Sequence, residues 1–176
     1  IHLLTQLRDS SLHLDSLGEA DLELARLHLA RGEWEEAIKT AEAARRQSPA
    51  PDFLQQIDWL IAEANYRSGR LEKAAAIYEQ LAQRAPRLSG NALFNAALCW
   101  LRLDRPDEFA AAYHQISNDP ARQAIEGELL LEEGAVQAAQ RKPQAEETFR
   151  KFIRDFPRSA RVSEAWVALA ELAFHA

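Results

Sequence analysis

The sequence predicts an all-α solenoid, in which antiparallel helix–turn–helix pairs stack side by side. Three observations carry this. Apolar residues recur at three- and four-residue spacing along most of the chain. Strand signals are nearly absent, because no run of Val, Ile, Thr, Tyr or Phe alternates over five or more residues. The punctuation between helices repeats: Gly32 to Gly69 is 37 residues, Ala74 to Phe109 is 35 and Phe109 to Ala145 is 36. Periods of about 20 to 50 residues signal a solenoid.

Taken in order, residues 1–17 are expected to hold a preceding helix or its remnant, with Leu3, Leu4 and Leu7 on one face. Residues 18–50 form the first pair, with Leu22, Ala25 and Leu29 on one helix and Ala37, Ala41 and Ala44 on the next. Residues 51–88 form the second, built on Ile57, Leu60, Ile61, Ala64 and then Ala74, Tyr78, Leu81. Gly32, Gly69 and Asp104 sit between paired helices, where a left-handed residue ends the first of them. Pro49, Pro86, Pro120 and Pro157 follow the second helices, which Pro cannot continue. Small residues at Ala25, Ala37, Ala62 and Ala74 let two helices approach closely. Residues 89–122 form the third pair, where Phe109 takes the place of the small residue and is expected to splay the joint. Residues 123–158 form the fourth. There Glu132 and Glu133 fall where small apolar residues belong, and Gly134 marks a one-residue shift. Residues 159–176 supply one further helix, the start of a truncated fifth repeat.

Composition narrows the function. With 47% apolar and 27% charged residues the chain is neither disordered nor collagenous. Its longest uncharged stretch, Leu88 to Leu101, has 14 residues including Gly and two Asn, too short and polar for a transmembrane span. A net charge of −6 argues against nucleic acid as the main partner. One cysteine, Cys99, forbids an internal disulfide and suits cytoplasm and periplasm alike. There is no Met and residue 1 is Ile, so the chain is read as a piece of a larger one.

The spacing of small residue, turn Gly, Ala and Pro in the first two units resembles the tetratricopeptide repeat, a 34-residue helix–turn–helix. The resemblance runs from about residue 18 to 176. It implies a right-handed superhelix that binds proteins or peptides, without catalysis or cofactor. The stretch Phe149, Phe152, Ile153, Phe156, Pro157, Ser159, Glu164 and Ala165 is similar to repeats in bacterial envelope proteins, among them outer-membrane assembly lipoproteins and the periplasmic partner of the Tol system.

Catalytic and metal motifs are missing. No two of His2, His13, His28, His114 and His175 stand three to five residues apart, and there is no HExxH, GxSxG or Walker-type loop. His28 is expected to pack, half-buried or buried, and Cys99 to be a buried inert thiol. The adjacent acids Glu35–Glu36, Glu132–Glu133 and Glu146–Glu147 point about 100° apart on a helix, so they read as solvated faces. The basic run Arg150, Lys151, Arg154, Arg158 and Arg161 is offset by Glu146, Glu147 and Asp155.

What remains is the hollow face that, in the family it resembles, the first helices line. The groove candidates are Arg26, Trp59, Glu63, Tyr66, Arg67, Phe94, Asn95, Arg102 and Gln137, with Leu22, Leu29, Leu98, Leu101 and Leu130 beside them. Trp59 and Phe94 read equally as core. Leu22 and Arg26 stand where chaperone-binding members carry the Lys and Asn of a carboxylate clamp, so chaperone-tail binding is not expected. Aromatic surface with Arg beside it suits an amphipathic or partly acidic peptide. The leading function is therefore a non-catalytic scaffold for a peptide or partner protein. The alternative is an oligomerisation or assembly segment of a larger bacterial envelope or secretion complex, including a homo-oligomer formed through exposed repeat ends.

Overall fold

The computed structural model describes residues 14–47, 50–117 and 123–175. The expected preceding helix with Leu3, Leu4 and Leu7 lies outside them, as do Pro49 and Pro120. The described residues form helices joined by short turns, and the chain divides into two compact units, residues 1–89 and 90–176.

The first unit holds α1 (Leu14–Ala30), α2 (Trp34–Arg45), α3 (Pro51–Arg67) and α4 (Leu71–Arg84). Helix α1 begins at Leu14, earlier than the expected start of the first pair. Pro51 opens α3, where its missing N–H has no helical partner to lose. Acids occupy first turns (Glu35, Glu36, Asp52, Glu72) and Arg45, Arg67 and Arg84 occupy last turns, which complements the helix dipoles. The core is a seam of alanines. Ala25, Ala37, Ala41 and Ala44 are fully buried together with Ile57, Leu60, Ile61 and Ala64, and Trp34, Ile38, Phe53 and Ile77 close its edges. Leu22, expected on the groove, belongs to this core. It lies on the same stripe as Ala25 and Leu29, so one helical face had to serve both purposes.

The second unit holds α5 (Ser89–Arg102, whose first residue falls on the unit boundary), α6 (Pro106–Ser117), α7 (Gln123–Ala139), α8 (Ala145–Asp155) and α9 (Val162–His175). Helix α8 turns Ala145, Thr148, Phe149 and Phe152 inward and Glu146, Glu147, Arg150 and Arg154 outward. Phe149 and Phe152 pack with Leu130, Leu131 and Ala165, flanked by Phe156, Leu169 and Leu172. Leu130 is thus core and not groove surface, and Cys99 is fully buried.

The four turns within helical pairs share one hydrogen-bond pattern. Gly32 N–H donates to Leu29 O and Glu33 N–H to His28 O; Gly69 and Arg70, Asp104 and Arg105, and Arg141 and Lys142 repeat it. This is a Schellman ending, and it requires a left-handed residue. Gly32 and Gly69 take φ of 77° and 82°, and Asp104 and Arg141 take 56°. Arg141 had no Gly, Asn or Asp to announce it. It does stand seven residues after Gly134, as Gly32 follows Ala25, Gly69 follows Ala62 and Asp104 follows Ala97. The register shift at Gly134 is therefore real. A Cβ there would lie 2.7 Å from the Phe149 ring, so only Gly admits that ring.

The Glu132–Glu133 pair is not the solvated face expected. Arg161 donates to Glu132 at 3.2 Å, to Glu128 at 2.6 Å and to Glu164 at 2.8 Å, which ties α7 to the start of α9. Glu133 is half-buried, and burial holds its carboxyl above the usual carboxylate range although Lys151 and Gln137 act against this. The register shift turns both acids into a joint, where neighbouring helices cover them. His28 is half-buried as expected, and its Nδ1–H donates to the Glu33 carboxylate. That bond holds Glu33 below the usual carboxylate range.

Packing and charge give three predictions. Gly134→Ala should lower stability by about 1–3 kcal/mol, because the buried Phe149 ring must shift. Gly18→Ala should raise it by up to about 1 kcal/mol, since that helical site offers ordinary contact at 3.4 Å and Ala is the better helix former. Urea denaturation of the two variants decides both signs. For Glu133, a folded-state pKa above the unfolded value means the ionised form is penalised on folding. Glu133→Gln should therefore raise the melting temperature at neutral pH, and the gain should shrink as pH falls through the range in which Glu133 itself protonates.

Candidate functional site

In the first unit, α1 and α3 leave a pocket of about 290 Å³ between them. Arg26 and Leu29 line it from α1, Gln56, Trp59, Leu60 and Glu63 from α3, and Leu88 from the segment before α5. The α3 positions are i, i+3, i+4 and i+7, one helix face. The indole of Trp59 is half-buried and meets Tyr78 of α4 edge to face, with centroids 5.3 Å apart and planes at 72°. Its two sides thus serve two purposes, core against Tyr78 and wall of the pocket. Arg26 donates from Nη2 to Gln56 Oε1 at 2.8 Å and also to Glu23. Glu63 accepts from Arg67 one turn on. The pocket therefore has an apolar floor and a rim of charged groups whose polar atoms are already oriented.

The nine groove candidates divide between the two units. Arg26, Trp59 and Glu63 line this pocket. Tyr66 is half-buried and Arg67 exposed on the same helix. In the second unit Phe94 and Asn95 are half-buried on α5 and Arg102 is exposed at its end. Gln137 on α7 is half-buried: its Nε2 donates to Glu133 at 2.9 Å and its Oε1 accepts from Thr148 at 2.7 Å. Sequence reasoning missed Gln56, Leu60 and Leu88. Gln56 and Leu60 share the Trp59 face and were reachable by periodicity; Leu88 lies outside a helix, where periodicity is silent.

Among the described residues no group of His, Cys, Asp and Glu could hold a metal ion, and no helix is long and apolar enough to cross a membrane.

Comparison with protein families decides the identity. One model described as tetratricopeptide repeat matches residues 10–52, 22–88 and 60–122, and a second with the same description matches 128–159. The chain belongs to the tetratricopeptide-repeat family. Members of the family generally mediate protein–protein interaction and are typically non-catalytic scaffolds. A comparison with curated proteins found no match. Among solved structures, the crystal structure of BtubC (BKLC) from P. vanneervenii is similar, with a TM-score of 0.63 and 17% identity over 96% of this chain and 76% of that one. At that identity the likeness is one of fold.

The double duty of Trp59 in this tetratricopeptide repeat can be measured. Trp59→Ala should lower stability by about 2–3 kcal/mol, less than a fully buried Trp would cost. Arg26→Ala should change it by no more than about 0.5 kcal/mol, because its ion pair is exposed. Chemical denaturation with unchanged m-values checks both.

Proposed function

We propose that the chain is a non-catalytic scaffold whose first-helix surface binds an extended or helical segment of a partner protein. The observation that carries this reading is the pocket between α1 and α3, an apolar hollow walled by Trp59 and rimmed by Arg26 and Glu63. Aromatic and Arg side chains are the usual anchors of interfaces, and Arg26 is already oriented by Gln56. An apolar side chain of the ligand fits the hollow, and the flanking charges favour an amphipathic or partly acidic segment. Tyr66, Arg67, Phe94, Asn95, Arg102 and Gln137 are the further candidates on first helices. Affinity in the micromolar range, about −8 kcal/mol, suits a few such anchors.

The test is selection of peptides on the intact chain from a random library, followed by titration. Arg26→Ala and Tyr66→Ala should each weaken peptides held by the first unit about tenfold, and Arg102→Ala those held by the second, with little change in helicity or melting temperature. Peptides that bind all three variants as tightly as the parent would place the site elsewhere.

A second reading is favoured by α9, where Trp166 and Val167 are each 58% exposed and Phe174 is 85% exposed. Apolar surface of that kind marks contact sites. In this reading the chain is an assembly segment of a larger bacterial envelope or secretion complex and self-associates through α9. Sedimentation should then show a dimer that Phe174→Glu abolishes, and a monomer at all concentrations would remove the reading.

A further inference from the structure

The third helical pair carries a ring where its neighbours carry a methyl group. Where the other pairs place Ala37, Ala74 and Ala145 fully out of solvent, the third places Phe109. Its ring is half-buried and tilted against Tyr113, with centroids 5.9 Å apart and planes at 43°. Beside the two rings, within the second unit, lies a pocket of about 420 Å³. Phe109, Ala110, Tyr113 and His114 of α6 form one wall; Glu133 of α7 and Lys151 of α8 complete the lining.

Glu133 is the one carboxylate among the lining residues. Tyr113 donates its hydroxyl to Glu126 at 2.9 Å, which fixes the ring. Burial first, then the bond to Glu126 and the charges of Glu126, Glu133 and Asp155, push that hydroxyl far above the ordinary tyrosine range. Arg154 pairs with Asp155 at 3.0 Å, and the ammonium of Lys151 stands 5.9 Å from the Tyr113 centroid. The aromatic face is thus already receiving a cation, from a side chain that is itself exposed and able to swing away. A carboxylate offers about four acceptor positions. Gln137 occupies one of those on Glu133.

We propose that this pocket binds the guanidinium group of an arginine on a partner polypeptide, which stacks on Phe109 and Tyr113 and pairs with Glu133 in place of Lys151. A planar guanidinium suits the site better than an ammonium, because it can stack on a ring and donate two parallel hydrogen bonds to one carboxylate. The site combines the second helices of the third and fourth pairs with Glu133 of α7, and it shares no residue with the pocket between α1 and α3.

The test titrates the ¹⁵N-labelled intact chain with acetyl-Gly-Arg-Gly-amide, alongside the neutral citrulline peptide and the Glu peptide. Saturable shifts at the Phe109, Tyr113 and Glu133 amides are expected from the Arg peptide alone, with a Kd of about 1 mM for so small a ligand. Glu133→Gln should weaken binding about fivefold. Lys151→Gln should tighten it about threefold by removing the competing cation. Equal response to citrulline, or no saturable shift, overturns the proposal. So does a Glu-peptide response lost in Lys151→Gln, which would make the pocket an anion site. Should Glu133→Gln fail to fold, the Lys151→Gln variant decides alone, since tighter binding of the Arg peptide supports the proposal and unchanged or weaker binding overturns it.

Discussion

A pair of helices is too thin to shield its own apolar faces, and the close approach of paired helices is the constraint on which the rest depends. That approach is set by side-chain size at the crossing. Ala25 and Ala37 are both fully out of solvent, as are Ala62 and Ala74. In the fourth pair the same crossing is reached with Gly134 beneath the ring of Phe149. Small residues remove the bulk that would hold the helices apart, and larger ones such as Ile57, Tyr78 and Leu81 fill what the pairing leaves open. Each repeat adds surface that only a neighbour can cover, so stability is shared along the array.

The turns make this geometry repeatable. A left-handed residue followed by two backbone hydrogen bonds reverses the chain in a fixed way, at Gly32, Gly69, Asp104 and Arg141 alike. Ion pairs then link one element to the next without demanding a dry setting: Arg70 with Glu35, Arg45 with Asp58, and Lys142 with Asp104. Exposed pairs of this kind contribute little each, so they tune orientation more than stability.

Most of the fold was legible because its signals are local. Helix spacing, Gly32, Gly69 and the alanine positions each declare themselves within a few residues. What escaped was set by neighbours distant in sequence. Arg141 takes a left-handed turn with no residue type to mark it, and the buried Asp21, held by Gln47 at 2.7 Å, carries no signal in its own segment. The acids Glu132 and Glu133 read as solvated because nothing nearby shows that Arg161 and Lys151 arrive from later helices. The candidate site was legible in part: Trp59 and Glu63 share a face of α3 by spacing, but their meeting with Arg26 of α1 and the double use of Trp59 depend on how the helices come to rest.

The scaffold reading rests on this architecture, since a preformed surface costs a ligand less ordering than one assembled on binding. The most direct measurement is far-UV circular dichroism of the isolated first pair, residues 14–47, beside the intact chain. If stacking supplies the stability, the isolated pair is mostly coil and shows no cooperative melt, while the intact chain is helical and melts cooperatively. An isolated pair that is helical and melts near the temperature of the whole chain would contradict the account.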